Sequence, residues 1–356
     1  VVAFAGGVTM KMRALFVLLG AGLPSIGLAA PALPALGSDS STLTVSGISS
    51  GGYMAVQFQV AYSKLVKGAG IIAAGPYDCA EGSAVRALSN CMAPTRWAPP
   101  PAPGDVKARM ESRARLDLID PPAALADDKV WVLTGGADHT VERPVVDALV
   151  GFYKAWVPAE SIRLVTLPDA GHAMISVADS KPNACDTSEA PYINRCGDFD
   201  APGELLGHLL GKLKPKSVPE PGHLVTFDQR PFTGGLPADI SMDEQGFAYI
   251  PASCRAGGCR VHVAFHGCRQ GEDQVGRRFV EGAGYNAWAE TNRLVVLYPQ
   301  AVARSGLAAG SMRWIYNPKG CWDWWGYSAV DYATRNAPQM VAVRKMIARL
   351  AEGVKQ

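Results

Sequence analysis

The sequence has few charged residues and almost no excess of either sign. Among 356 residues, 34 are Lys or Arg and 32 are Asp or Glu, so charged residues make up 19% and the formal net charge is +2. A nucleic-acid-binding protein normally presents a concentrated basic surface, and this balance gives no reason to expect one. Hydrophobic residues make up 48%, which excludes a disordered chain. We therefore expect a folded protein without a nucleic-acid partner.

Long apolar runs are also missing, with one exception near the start of the sequence. Lys11 and Arg13 precede an apolar run, 14–30, that ends in small residues. This layout is typical of a secretory signal peptide. A membrane anchor is the alternative, but glycines and a proline interrupt the run, which is short for a span of ~20 residues. The hypothesis is that residues 1–30 are upstream residues and a signal peptide. Residues 31–356 would then form a single secreted domain, extracellular or periplasmic, with no membrane partner after cleavage.

No Cys-x-x-Cys pair occurs among the eight cysteines, so zinc binding is not indicated. An even number of cysteines in an exported chain indicates disulfides, although eight cysteines allow many pairings. Proximity in sequence favours three short loops and leaves one remaining pair: Cys79–Cys91, Cys185–Cys196, Cys254–Cys259 and Cys268–Cys321. We expect no metal and no organic cofactor.

Short apolar runs alternate with helical patterns along the chain. Strands are predicted at 42–47, 69–74, 130–133, 162–167, 246–250, 260–265 and 294–298. Helices are predicted at 51–66, 105–118, 142–156, 205–213, 277–290 and 336–351. Such alternation predicts an α/β fold with a mostly parallel sheet and helices on both faces. The proline-rich segment 214–222 is the best linker candidate, yet neither half has enough strands for its own domain, so one sheet is expected to cross it.

A candidate nucleophile lies between the first predicted strand and helix. Gly47-Ile48-Ser49-Ser50-Gly51 matches G-x-S-x-G, the pattern of a nucleophile elbow in a strand–turn–helix context. The match places the nucleophile at Ser49 and a backbone N–H donor for the oxyanion at Ser50. A chance Gly/Ser-rich turn is the alternative, and the flanking elements favour the elbow.

Two further residues complete a candidate triad. His172 follows the predicted strand 162–167 and is the favoured base among six histidines. Asp138 follows the strand 130–133 and is the favoured acid, although Asp is also a common helix N-cap. The chain order Ser49, Asp138, His172 is that of α/β-hydrolases. All three follow predicted parallel strands, where open α/β sheets place their sites.

A second oxyanion donor is predicted at Cys268. His266-Gly267-Cys268 follows the strand 260–265 and is similar to the oxyanion loops of esterases, so the Cys268 N–H is the candidate. In ordinary α/β-hydrolases this loop precedes the nucleophile, whereas here it lies far downstream. Circular permutation, with the old termini joined near 214–222, accounts for the order because such changes are tolerated at exposed positions with close termini.

Together these segments resemble the poly(3-hydroxybutyrate) depolymerases. The resemblance is carried by 47–55 (GISSGGYMA), 135–141 (GGADHTV), 171–172 (GH), 266–268 (HGC), 297–300 (LYPQ) and 321–327 (CWDWWGY). The permuted order is similar to the single-domain, fungal-type group. The resemblance implies a secreted serine esterase that cleaves poly(3-hydroxybutyrate) or related polyhydroxyalkanoates to hydroxy-acid monomers or oligomers through an acyl-enzyme. Related esterases share several of these segments, so a carboxylesterase acting on small or plant-wall (feruloyl or acetyl) esters is the alternative.

The resemblance also implies that Trp324, Trp325 and Tyr327 contact the polyester. The alternative is a buried aromatic cluster. Because Trp324 and Trp325 are adjacent, they would point in opposite directions in an extended chain, and at most one is expected to face the substrate. No separate substrate-binding domain is recognisable, so polymer adsorption would use the surface of the domain itself. The expected partner is the polyester alone, and the protein is expected to be a monomer.

Overall fold

The computed structural model describes residues 30–309 and 312–353, together with residues 2, 3 and 6. Most of the predicted signal peptide, 7–29, lies outside the described residues. Within the described ranges, no helix has both the length and the apolar character needed to cross a membrane.

The described part of the chain contains twelve strands and ten α-helices. The strands are β1 Asp39–Ile48, β2 Val66–Ile72, β3 Lys129–Gly135, β4 Ile162–Leu167, β5 Met174–Ile175, β6 Ile193–Asn194, β7 Leu224–Asp228, β8 Gln245–Tyr249, β9 Arg260–Phe265, β10 Leu294–Tyr298, β11 Arg304–Leu307 and β12 Trp314–Asn317. The helices are α1 Ser50–Ala61, α2 Ala84–Ser89, α3 Pro103–Arg115, α4 Arg143–Tyr153, α5 Ala201–Leu210, α6 Arg230–Thr233, α7 Glu272–Val275, α8 Arg278–Gly282, α9 Tyr285–Thr291 and α10 Pro338–Ala351.

Eight strands form one central sheet in the order β4-β3-β2-β1-β9-β10-β8-β7. Strand β8 is antiparallel to both of its neighbours, and the other pairings are parallel. Because β1–β4 precede the segment 214–222 and β7–β10 follow it, the sheet crosses that segment. The predicted α/β fold with a mostly parallel sheet is confirmed.

The sheet is apolar on both faces because helices cover both. Along β10, Val295 and Leu297 face one core, while the residues between and beside them face the other. Helices α1, α3, α4 and α10 supply Phe58, Met110 and others to the first core. Helices α5, α8 and α9 cover the opposite face. A parallel sheet buried in this way requires strands that are nearly continuous apolar runs, which is why the sequence indicates them.

The two ends of the described domain meet beside the sheet. The N–H groups of Leu36 and Ser38 donate to the Leu350 carbonyl at 3.2 and 3.0 Å, and the Gly37 N–H donates to Glu352 at 2.7 Å. The segment after α5 leads to β7, which lies at the edge of the sheet opposite β4. Joining the adjacent ends and opening 214–222 would place β9 and its loop before β1. The fold is therefore a circularly permuted α/β-hydrolase fold.

The structure differs from the predicted elements in one divided helix and in several short elements that the sequence pattern does not indicate. The helix predicted at 277–290 is divided into α8 and α9, because Gly284 adopts φ +94°, a conformation that ends a right-handed helix. The sequence pattern does not indicate strand β7, which has only five residues and lies one residue beyond the proline-rich segment.

Candidate active site

The turn between β1 and α1 presents Ser49 above the carboxyl edge of the sheet. Ser49 adopts φ +55° and ψ −124°, which is sparsely populated for a residue with a side chain and costs on the order of 1–3 kcal/mol. A Cβ at Gly47 would lie 2.2 Å from the Gly51 carbonyl oxygen, and one at Gly51 would lie 2.4 Å from the His266 oxygen. Both positions therefore require glycine, as expected of a nucleophile elbow.

Asp138 and His172 form a buried hydrogen-bonded pair. His172 Nδ1 lies 2.8 Å from Asp138 Oδ2, and both residues are only 5% exposed. The other carboxylate oxygen accepts the N–H groups of Thr140 and Val141 at 2.8 and 3.0 Å. Asp138 therefore holds the turn that precedes α4 through one oxygen, while its second oxygen orients the imidazole. It is not a helix N-cap, because α4 begins at Arg143 and its N-cap is Glu142.

The loop that carries His172 is held from two directions. The His172 N–H donates to Ser188 Oγ at 2.8 Å, and the Gly171 N–H donates to the Cys185 carbonyl at 2.8 Å. Cys185 is bonded to Cys196, so this disulfide braces the backbone against which the histidine loop packs. The position of the imidazole is therefore fixed by covalent structure as well as by Asp138.

Ser49, His172 and Cys268 line one cavity of about 270 Å³. The structure thus brings together three residues that are widely separated in sequence. The Ser50 N–H lies at the first position of α1, and neither this amide nor that of Cys268 donates a hydrogen bond to another described residue. By contrast, the Gly267 N–H already donates to Gln270 Oε1 at 2.7 Å. The two predicted oxyanion donors remain available for a ligand.

His266, which precedes this loop, is a structural residue. Burial lowers the pKa of His266 to about 4, so the ring is neutral at ordinary pH. Its Nε2 accepts the Ala301 N–H at 3.0 Å and its Nδ1 lies 2.7 Å from the Gly267 carbonyl. The neutral ring therefore fixes the loop that carries the Cys268 amide.

A second cavity, of about 300 Å³, adjoins the first and is mostly apolar. Met92, Cys268 and Lys319 line both cavities, and Trp324 and Trp325 line the second. Both tryptophans line the same cavity, so the extended-chain geometry behind the expectation that at most one faces the substrate does not apply. The segment is a compact turn and not an extended strand, because Asp323 Oδ1 accepts the N–H groups of Trp325, Gly326 and Tyr327.

Tyr327, the third predicted substrate contact, lies elsewhere. Its ring is buried against Ile315, and its hydroxyl donates to the Cys321 carbonyl at 2.6 Å. Tyr327 is not among the residues that line either cavity. Its position indicates a role in holding the aromatic turn in place.

Four disulfides are present, and they join the pairs named from the sequence: Cys79–Cys91, Cys185–Cys196, Cys254–Cys259 and Cys268–Cys321. The last bridge connects the loop of the candidate oxyanion donor to the aromatic turn. The Cys79–Cys91 bridge closes the loop that carries α2. The residue after this loop is Met92, which lines both cavities.

Comparison with known proteins places this arrangement in a family. No protein-family model matches the chain. A polyhydroxybutyrate depolymerase of Talaromyces funiculosus is 34% identical over 333 residues, which cover 91% of this chain and 94% of the relative. The chain belongs to the poly(3-hydroxybutyrate) depolymerase family. A poly(3-hydroxybutyrate) depolymerase of Delftia acidovorans is 41% identical over 332 residues, or 91% of this chain, and the chain spans 63% of the length of that relative.

Solved structures of depolymerases have the same fold. The crystal structure of PHB depolymerase from Penicillium funiculosum matches with a TM-score of 0.80 and 31% identity, covering 90% of this chain and 98% of that one. A serine-to-alanine variant of a PHB depolymerase, complexed with R3HB trimer, matches with a TM-score of 0.80 and 32% identity over the same shares.

Sequence reasoning missed several residues of this candidate site. Gln270 Nε2 donates to the carbonyls of Pro191 and Tyr192, both at 3.0 Å, and so joins the loop of the candidate oxyanion donor to the loop after His172. Arg269 and Lys319 also line the cavity that contains Ser49. Arg269 and Gln270 could have been indicated only by their proximity to the His-Gly-Cys motif at 266–268. Lys319 has no such signal in the sequence.

Proposed function

We propose that this protein is a secreted serine esterase that hydrolyses the ester bonds of poly(3-hydroxybutyrate) and related polyhydroxyalkanoates. One observation carries the proposal: Ser49, Cys268 and His172, the last held by Asp138, line one cavity that continues into an aromatic, apolar cavity. The first supplies the groups for acyl transfer, and the second suits an uncharged polyester chain. Relatives named for polyhydroxybutyrate depolymerisation support the same substrate class.

In the proposed mechanism, His172 Nε2 removes the proton from Ser49 Oγ as that oxygen attacks the ester carbonyl. Asp138 accepts the hydrogen bond from His172 Nδ1 and stabilises the imidazolium that forms. His172 then protonates the leaving alcohol, and a water activated by the same imidazole releases the acyl group as a hydroxy acid.

The amides of Ser50 and Cys268 are proposed to bind the oxyanion of the tetrahedral intermediate. One such donor contributes roughly 3–4 kcal/mol to transition-state stabilisation in a studied protease. The Ser50 N–H also benefits from its position at the N-terminus of α1, a helix of 12 residues, where the helix dipole favours negative charge. The Ser50 hydroxyl has a separate task, since it accepts the backbone N–H of Trp322 at 3.3 Å and links the donor to the aromatic turn.

The chain is proposed to act as a monomer outside the cytoplasm, with residues 31–356 as one catalytic domain. Four disulfides support an oxidising compartment. Polymer contact is proposed to use exposed apolar side chains beside the aromatic cavity, among them Leu88 and Tyr316, which are each 63% exposed.

The test compares two adjacent serines. We expect Ser49→Ala to abolish clearing of polyhydroxybutyrate films and labelling by a fluorophosphonate probe. We expect Ser50→Ala to retain labelling, because its hydroxyl is a structural acceptor. Film clearing by Ser49→Ala at the wild-type rate would refute the mechanism. Turnover of feruloyl or acetyl esters without release of hydroxy acid from the polymer would refute the substrate class.

A further inference from the structure

Two cationic side chains stand at the mouth of the cavity that contains Ser49. Arg269 and Lys319 both line this cavity and are both exposed. Among the described residues, neither side chain forms an ion pair or a hydrogen bond with a neighbour, and no acidic side chain lines the cavity. Two positive charges are therefore presented to a ligand in the cavity without a protein counter-charge.

The backbone of this cation pair is held firmly. Arg269 follows Cys268 directly, Lys319 precedes Cys321 by two residues, and those cysteines are joined by a disulfide. The Arg269 N–H also donates to the Lys319 carbonyl at 2.7 Å. The two cations thus flank one covalent bridge, beside the amide proposed to bind the oxyanion.

A polyhydroxyalkanoate chain offers these cations only one kind of charged partner. Its internal esters are neutral, and its single ionised group is the carboxylate at the chain end. The carbonyl attacked by Ser49 belongs to the acyl fragment, so the terminal carboxylate must lie on the alcohol fragment, which leaves first. A guanidinium and an ammonium are both suited to bind a carboxylate through charge-assisted hydrogen bonds.

We propose that Arg269 and Lys319 form a subsite for the terminal carboxylate of a hydroxyalkanoate oligomer, so that short chains with a free carboxyl end are preferred substrates. The acyl part of the chain then occupies the aromatic cavity lined by Trp324 and Trp325. This inference rests on the proposed function, and it adds that the enzyme trims soluble oligomers from their carboxyl ends in addition to attacking the polymer.

The experiment compares the trimer of 3-hydroxybutyrate as a free acid with its methyl ester, which lacks only the charge. We expect the wild type to hydrolyse the free acid with the higher kcat/KM, and the Arg269→Gln/Lys319→Gln variant to lower the acid-to-ester ratio by about tenfold. Arg269→Gln/Lys319→Glu should lower the ratio further, since it leaves one negative charge and no positive charge beside the carboxylate. Lys154→Gln, at an exposed position at the end of α4, is the matched control and should leave the ratio unchanged.

A wild-type ratio near one, or the same ratio in the double variant, would overturn the carboxylate subsite while leaving the esterase assignment intact. Failure of the wild type to hydrolyse either trimer would instead overturn the proposed function. The wild-type preference should also shrink as salt is raised from about 0.01 to 1 M, because exposed charges are screened over that range. Circular dichroism and thermal melts of each variant exclude a loss of folding as the cause.

Discussion

The Cys268–Cys321 disulfide is expected to contribute to stability and to activity together. It closes a segment of 53 residues, and the chain-entropy relation assigns such a loop about 4 kcal/mol of stability. The bridge also joins the loop of the Cys268 amide to the aromatic turn. Replacing both cysteines with alanine keeps that amide but frees its loop, so we expect kcat to fall by at least about tenfold, towards the 10²–10³-fold loss of one oxyanion donor.

The matched control is the Cys254–Cys259 disulfide, which spans only 5 residues. The same relation gives it about 2 kcal/mol, and neither cysteine lines the two cavities. Urea unfolding of both double-alanine variants measures the difference in stability, and hydrolysis of the soluble trimer under folded conditions measures kcat. Equal losses of stability in both variants would contradict the loop-length argument. An unchanged kcat without Cys268–Cys321 would show that the bridge does not organise the site.

Three further predictions concern single residues. Asp138→Asn should lower kcat on the order of 10⁴-fold, as in a serine protease, because His172 loses its orienting carboxylate; a loss below tenfold in trimer hydrolysis would contradict this. Tyr316→Ser should reduce the rate on polymer films more than on soluble trimer, and equal effects on both would argue against film contact. Burial raises the pKa of Asp128 to about 7, so its proton is held more tightly in the folded state and stability should fall as pH rises from about 4 to 7. Asp128→Asn should remove this slope in urea titrations, whereas Asp127→Asn, an exposed neighbour, should retain it.

Much of the site could be predicted because its chemistry restricts the local sequence. The turn at Ser49 brings Gly47 and Gly51 so close to neighbouring carbonyl oxygens that no other residue fits, and this requirement produces a recognisable motif. Asp138 and His172 each follow an apolar strand, and parallel strands end at the same edge of a sheet. Local sequence and tertiary position therefore indicate the same residues.

Other features depend on contacts that local sequence does not record. Gln270 matters because it reaches carbonyl groups 78 and 79 residues away. Trp324 and Trp325 line one cavity because Asp323 folds the backbone into a turn, whereas an extended chain would have separated their rings. The predicted helix at 277–290 is interrupted at a single glycine, whose positive φ was not apparent from the apolar pattern.

The permuted strand order has a consequence for when the site can be completed during folding. Strand β1 can pair with β2 early in synthesis, but its other neighbour, β9, comes much later, as the hydrogen bond between Thr44 and His262 spans 218 residues. Pairing over such separations slows folding. The proposed oxyanion donor and the aromatic turn follow β9, so a truncated or partly translocated chain holds the nucleophile strand without the groups that would make it act on an ester.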